Sequence, residues 1–287
     1  MKSIYKYLTA FGLFFLLTQL FSACMQMRTK PKKFYKAFEG KNHQPQLKTY
    51  TVNEQTVHYA EVGNPELPTV VMVHGAPGSL DAYIEYLKDD NLLNKARLIS
   101  VDRPGYGYSD FGKSEVSIEE QAACLKPLLE SDQSGKVILV GHSYGGPIIA
   151  RLAMDYPDLV DGLIMVAPAI DPDNERVFWI SYPIDFFLIK WMVPKPFRVS
   201  NDEKLSHADE LRKMVPLWKN ITVPTTLMQG GKDWIVLPVN ADFGEKMLVN
   251  APLNLIRDPE WNHFILWSEI DLIKADILKH IEGGYKE

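Results

Sequence analysis

The sequence predicts a doubly wound, mostly parallel α/β sheet, and three observations carry that reading. Four short, nearly continuous apolar runs at residues 69–73, 96–101, 137–140 and 163–166 have the character of strands buried on both faces, the condition of parallel strands covered by helices. Residues 117–130 and 145–156 show helical periodicity between them, so that strand and helix alternate. The chain's 287 residues, 46% hydrophobic and 23% charged, suffice for one large core.

Taken from the start, residues 1–24 stand outside this alternation. Lys2 and Lys6 precede an apolar run at residues 8–21, which closes on Phe21-Ser22-Ala23-Cys24. That is the pattern of a secretory signal, and the run is shorter than the roughly 20 residues that span a bilayer. Small residues directly before a cysteine resemble the lipobox of bacterial lipoproteins, although Phe21 stands where Leu is usual. The resemblance implies cleavage, lipidation at Cys24 and an exported chain anchored to a membrane of the cell envelope. The plainer reading is a cleavage site followed by a chance cysteine. Residues 25–46, with Arg28, Lys30, Lys32, Lys33 and Lys36, read as a basic tether resting on anionic headgroups.

A hairpin is expected over residues 47–62, where β-branched and aromatic residues cluster. Beyond residue 166, strands are expected at 225–228 and 253–256 and a closing helix at 270–281. The core therefore comprises residues 47–169 and 221–287. Cys124 lies among Gln121, Ala122, Leu125, Leu128 and Leu129 at helical spacing and reads as a core residue; with Cys24 lipidated it has no disulfide partner. A formal net charge of −5, from 31 basic and 36 acidic side chains, offers no footprint for nucleic acid.

The strongest motif is Gly141-His142-Ser143-Tyr144-Gly145, which follows the 137–140 strand and opens a helix. In that setting G-x-S-x-G reads as a nucleophile elbow, a strained turn that thrusts a serine hydroxyl out of the sheet. The bland alternative is a serine in an ordinary strand-to-helix turn. Upstream, the 69–73 strand runs into His74-Gly75-Ala76-Pro77-Gly78-Ser79. The backbone N–H of Ala76, with that of Tyr144, is expected to form an oxyanion hole. His74 reads as shaping this loop rather than as a base.

These two segments together with Asp102-Arg103-Pro104-Gly105-Tyr106-Gly107-Tyr108-Ser109, in this order and spacing, resemble the α/β-hydrolase superfamily. The closest resemblance is to its small esterases, prolyl iminopeptidase-like enzymes, lactonases and carbon–carbon bond hydrolases, and it covers residue 47 to the end. It implies a helical cap inserted before the last strands and a catalytic order of nucleophile, acid, base. Ser143 in the elbow, rather than an aspartate, argues against the epoxide hydrolase and haloalkane dehalogenase branches. The acid and base implied are Asp233, in the turn after the 225–228 strand, and His263, after the 253–256 strand. Asp171 holds a second place from which the fold sometimes supplies its acid, and Asp102 reads as a brace for its loop. His207 lies in the presumed cap; no histidine has a convincing metal-ligand neighbour, so neither metal nor organic cofactor is expected.

The cap is placed at residues 170–220, where Phe178, Trp179, Tyr182, Phe186, Phe187, Trp191, Phe197 and Trp218 give an aromatic, proline-rich stretch. A cap lining the cleft implies a small, largely apolar substrate such as an ester, lactone or amide, cleaved through an acyl-enzyme. Two alternatives stand. An aminopeptidase needs a cap carboxylate for the substrate amine, for which Asp185, Asp202, Glu203, Asp209 and Glu210 are candidates; a hydrophobic-ligand binding protein uses the same fold without turnover.

Overall fold

The computed structural model describes residues 6–7, 12–13, 15–16, 18–20, 22 and 25–285. Cys24, the expected lipidation site, lies outside the described residues. Eight strands form one sheet in the order β1-β2-β4-β3-β5-β6-β7-β8: β1 Gln46–Val52, β2 Gln55–Val62, β3 Thr69–Val73, β4 Arg97–Val101, β5 Val137–His142, β6 Gly162–Val166, β7 Thr225–Gly230 and β8 Leu253–Asp258. The first two are antiparallel to their neighbours; β3 to β8 all run parallel. Asn53 and Glu54 both adopt positive φ, 49° and 63°, and close the β1–β2 hairpin in the primed turn that matches strand twist. Every residue of β3, β4, β5 and β6 is buried, as the unbroken apolar runs require.

Helices cover both faces. On one side α2 (Ile118–Glu130) and α3 (Gly145–Asp155) pack over Val71, Leu139 and Leu163. On the other, α6 (Ile270–Glu282) sets Ile273 and Ile277 against Ile138 and Ile164. Between β6 and β7 the chain leaves the sheet and forms two short helices, Ser181–Asp185 and Phe187–Lys190, and the long α4 (Lys195–Met214), before α5 (Val239–Met247) follows β7. Among the described residues no helix is long and apolar enough to cross a membrane.

The segment expected as a tether is partly built into the body. In α1 (Pro31–Lys36) and the turn after it, Phe34 and Phe38 are fully buried among Ala60, Val62 and Leu98. Each such burial stabilises by about 1.5–3 kcal/mol. Their lysine neighbours remain exposed, so the charge that suggested a loose linker covers only the outer face.

Three buried histidines give the fold a pH signature. Burial holds His74 well below its ordinary range, His142 at about 3 and His280 at about 4. The unfolded chain takes up these protons near pH 6.5, whereas the folded chain resists until lower pH. Protons therefore favour the unfolded state below pH 6.5, and stability falls as pH drops from there toward 4, by ~1.4 kcal/mol per pH unit for each fully shifted histidine. Urea unfolding between pH 7.5 and 4.5 is expected to show this loss, and His280→Gln is expected to reduce the slope by nearly one proton. A flat profile would contradict the assignment.

Candidate active site

At the carboxyl edge of the parallel strands the backbone is forced into one tight turn. Ser143 follows β5 with φ +54°, a conformation that a residue with a side chain rarely adopts. Its amide donates to the carbonyl of Val166 at 3.0 Å, and its carbonyl accepts from Gly146 at 3.0 Å. The glycines around it are steric necessities. A Cβ on Gly145 would stand 2.2 Å from the Val73 carbonyl oxygen, and one on Gly141 2.5 Å from that of Gly145. Gly75 is equally constrained, since its Cβ would lie 2.9 Å from that of Ser143. The turn thus brings Ser143 against the 74–79 loop.

Asp233, in the turn after β7, is buried, and its Oδ1 accepts the amides of Ile235 at 2.9 Å and Val236 at 2.8 Å. Its Oδ2 lies 2.7 Å from Nδ1 of His263. That leaves Nε2 of His263 as the free ring nitrogen, and Ser143 and His263 line the same cavity. Beneath them His142 is kept neutral by burial and donates from Nε2 to the His263 carbonyl at 3.0 Å. Among the described residues the Ser143 hydroxyl makes no hydrogen bond, and neither do the amides of Ala76 and Tyr144, which line a cavity with Ser143. An unclosed serine–histidine bond is common where substrate is absent. Asp171, by contrast, is occupied in its own turn, accepting from Asp173 and Asn174.

The loop after β4 is held by buried charge. Asp102 accepts the amides of Leu80 and Tyr108 and contacts Nδ1 of His58 at 2.8 Å, a pairing the sequence does not announce. Arg103 is wholly buried: it donates to the carbonyls of His74 (2.9 Å) and Gly75 (3.2 Å), to Gln121 (2.7 Å), and to both oxygens of Glu203 on α4 (2.6 and 3.2 Å). Nε2 of His74 accepts the Arg103 amide, so His74 is a structural member of this loop. Cys124, also buried, has its thiol pushed up to about 11 by burial and neighbouring carboxylates, and it donates to Gln55.

The sequence profile of the α/β-hydrolase fold matches residues 68–188. The sheet and its flanking helices are those of the α/β-hydrolase fold. The chain is 31% identical over 163 residues to Epoxide hydrolase 1 of Caenorhabditis elegans, a match covering 55% of this chain but only 39% of that protein. Among solved structures, a membrane phospholipase A matches with a TM-score of 0.65 at 16% identity, covering 98% of this chain and 96% of the other. The enol-lactonase from Burkholderia xenovorans LB400 matches with a TM-score of 0.63 at 15% identity, covering 82% and 100%. Its relatives include hydrolases of several kinds on one fold.

Ser143 sits where two cavities meet. One, of about 700 Å³, is lined by His263, Phe264 and Trp267 and by Met25, Met27 and Arg28 of the amino-terminal segment. The other, about 360 Å³, lies under the β6–β7 insertion, with Phe178, Ile180, Ile184, Phe197, Ile235 and Val236 as apolar walls. None of the five cap carboxylates considered for amine recognition lines this second cavity. Each is already paired: Asp185 and Asp202 with Lys190, Glu203 with Arg103, Asp209 with Arg212 and Glu210 with Lys213. The carboxylate that does line it is Glu175, which the sequence reading overlooked. Burial pushes it up, but His207 and Lys204 outweigh that and pull it down to about 2. Lys204 and His207 stand three residues apart on α4, a spacing that puts both on one helix face and was the available signal.

Glu203→Gln leaves the Arg103 charge buried without its counter-ion and is expected to cost about 3–5 kcal/mol, whereas Arg103→Met with Glu203→Met is expected to cost less than either single change. Urea-unfolding midpoints of the three variants measure this. Equal and small losses would show that the pair does not hold the insertion to the core.

Proposed function

We propose that this chain is a serine hydrolase that cleaves an ester or a related carbonyl bond, such as a lactone or amide, through an acyl-enzyme. The observation that carries the reading is Ser143, at φ +54° in the β5–α3 turn, in a cavity shared with His263, whose Nδ1 is fixed by Asp233 at 2.7 Å. In this reading Ser143 attacks the carbonyl carbon while Nε2 of His263 takes its proton. Asp233 fixes the tautomer and stabilises the imidazolium. The amides of Ala76 and Tyr144 receive the developing oxyanion, each worth roughly 3–4 kcal/mol in such sites. The protonated His263 then returns its proton to the leaving group, and a water activated by the same ring releases the acyl group.

An epoxide-opening role, suggested by the name of the Caenorhabditis elegans relative, fits less well, because the residue at the elbow is Ser143 and no aspartate is there to form the alkyl ester. The full chain is expected to hydrolyse p-nitrophenyl esters and to react with a fluorophosphonate probe, with both lost by at least ~10³-fold in Ser143→Ala. Probe labelling that survives this substitution would overturn the assignment; a folded chain that neither labels nor hydrolyses would make a ligand-binding role the better reading.

We also propose export to the cell envelope and lipidation at Cys24. Met25 and Met27 lie against the cavity that holds Ser143. Exposed Met27, Phe264 and Trp267 line that cavity and suit an interface with lipid. Radiolabelled palmitate incorporation is expected in the wild-type chain and not in Cys24→Ala; a mature chain recovered wholly in the soluble fraction would count against the anchor.

A further inference from the structure

An ester or amide seated at Ser143 divides into an acyl arm and a leaving group, and the path of the proton decides where each lies. In the reaction proposed above the leaving atom takes its proton from Nε2 of His263, so the leaving group occupies the side on which that ring stands. Of the two cavities that meet at Ser143, His263 lines the larger, about 700 Å³, while the walls under the insertion come from other residues. The acyl arm therefore lies under the insertion and the leaving group in the larger cavity.

One wall of that larger cavity is a strap, residues 25–29, which precedes α1. Its polar groups are spent on holding it to the body. Arg28 donates from Nη1 to the Gly107 carbonyl at 2.7 Å and from Nε and Nη2 to Gln26 at 3.2 and 3.1 Å. Its guanidinium also lies over the rings of Tyr108 and Phe111, 4.4 and 4.2 Å from their centroids. Thr29 gives its amide to Oδ2 of Asp81 at 2.6 Å, and the same oxygen takes the Ser79 hydroxyl at 3.1 Å. Between Gln26 and Arg28, Met27 adopts φ +50°, which a residue with a side chain rarely does. A residue held there is over-determined by its neighbours, a condition that recurs at ligand clamps. Met27 is nonetheless 41% exposed, and it lines the cavity together with Met25, Phe264 and Trp267.

These four side chains decide what the leaving group should be. Thioethers are flexible and polarisable, fit irregular shapes and make favourable contacts with aromatic rings. The rings of Phe264 and Trp267, with centroids 6.0 Å apart, add aromatic surface to the same cavity. The one guanidinium in the strap is already matched by a carbonyl, an amide and two ring faces, so it makes no demand for an anion.

We propose that Met27 is a specificity-determining residue for the leaving group: with Met25, Phe264 and Trp267 it selects esters of bulky, uncharged aromatic alcohols. Arg28 is the positioning residue that keeps Met27 at the cavity. The inference rests on the hydrolase reading for the assignment of the two arms, though not for the binding of the aromatic group.

The butyrate esters of methanol, benzyl alcohol and 2-naphthylmethanol pass through one common butyryl-enzyme, so a variant's effect on their relative kcat/KM reports on the leaving group. The full chain is expected to favour the naphthylmethyl over the methyl ester, and Met27→Ala and Met27→Gly each to lower that ratio by ~4-fold or more, the scale of one buried methylene. Glycine suits the left-handed backbone while alanine does not, so agreement between the two ties the effect to the lost side chain. Arg28→Ala is expected to lower the ratio as well, with the benzyl ester between the extremes. Preference among methyl acetate, methyl butyrate and methyl hexanoate, where only the acyl arm varies, is expected to stay as in the wild type. A naphthylmethyl-to-methyl ratio unmoved in both Met27 variants, their circular dichroism being native, would overturn the proposal, as would an equal shift in the acyl series. Binding is measured apart from turnover by equilibrium dialysis of 2-naphthylmethyl butyrate against the full chain carrying Ser143→Ala, where adding Met27→Ala is expected to raise Kd by ~4-fold. That rise in a protein that hydrolyses no ester with Ser143 intact would sustain the wall and remove only the reaction; an unchanged Kd in such a protein would overturn the proposal.

Discussion

The buried guanidinium of Arg103 is the contact on which the arrangement of this site depends. A full positive charge with no exposure to water is tolerable only when its donors are satisfied, and here they reach three separate parts of the chain: the 74–79 loop, helix α2 through Gln121 and helix α4 through Glu203. Tyr106 donates a further bond to Glu203 at 2.6 Å, so the carboxylate is as fully matched as the guanidinium. Because such a pair is costly to separate, it fixes the long insertion helix to the loop that carries the Ala76 amide. The position of α4 in turn sets where Lys204 and His207 stand relative to Ser143.

Much of the scaffold was legible in the sequence because its signals are local. The unbroken apolar runs of β3, β4, β5 and β6 follow from burial on both faces. Gly141, Gly145 and Gly75 report close backbone approaches that no other residue permits, which is why the elbow and its facing loop could be placed from residue types alone. The Asp233 and His263 contact was anticipated by chain order rather than by local pattern. What escaped is long-range pairing of charge: His58 with Asp102 across 44 residues, and Arg103 with Glu203 across 100. Periodicity carries no information about which distant carboxylate meets which cation.

The two other departures have different causes. In residues 25–46 the lysines dominated the composition, and the i, i+4 spacing of Phe34 and Phe38, which marks a buried helix face, was the weaker signal. In the insertion, aromatic density suggested a cap lining the cleft for a largely apolar substrate, yet several of those rings, including Trp179, Tyr182 and Phe187, point to solvent. The side chains that end the cavity are instead Glu175, Lys204 and His207. Composition counts what a segment contains; it does not say which part of it turns inward.

The docking of the amino-terminal segment has a consequence for encounter. Thr29 donates its amide to Asp81 at 2.6 Å, Arg28 lies over the rings of Tyr108 and Phe111, and Met25 already borders the cavity. Each extended residue upstream of that wall adds no more than ~3.6 Å of reach. A surface holding the upstream chain close to Met25 would therefore hold the mouth of that cavity at a limited height above it. Search for substrate would then become a problem of diffusion in a plane, with little entropy of orientation left to lose.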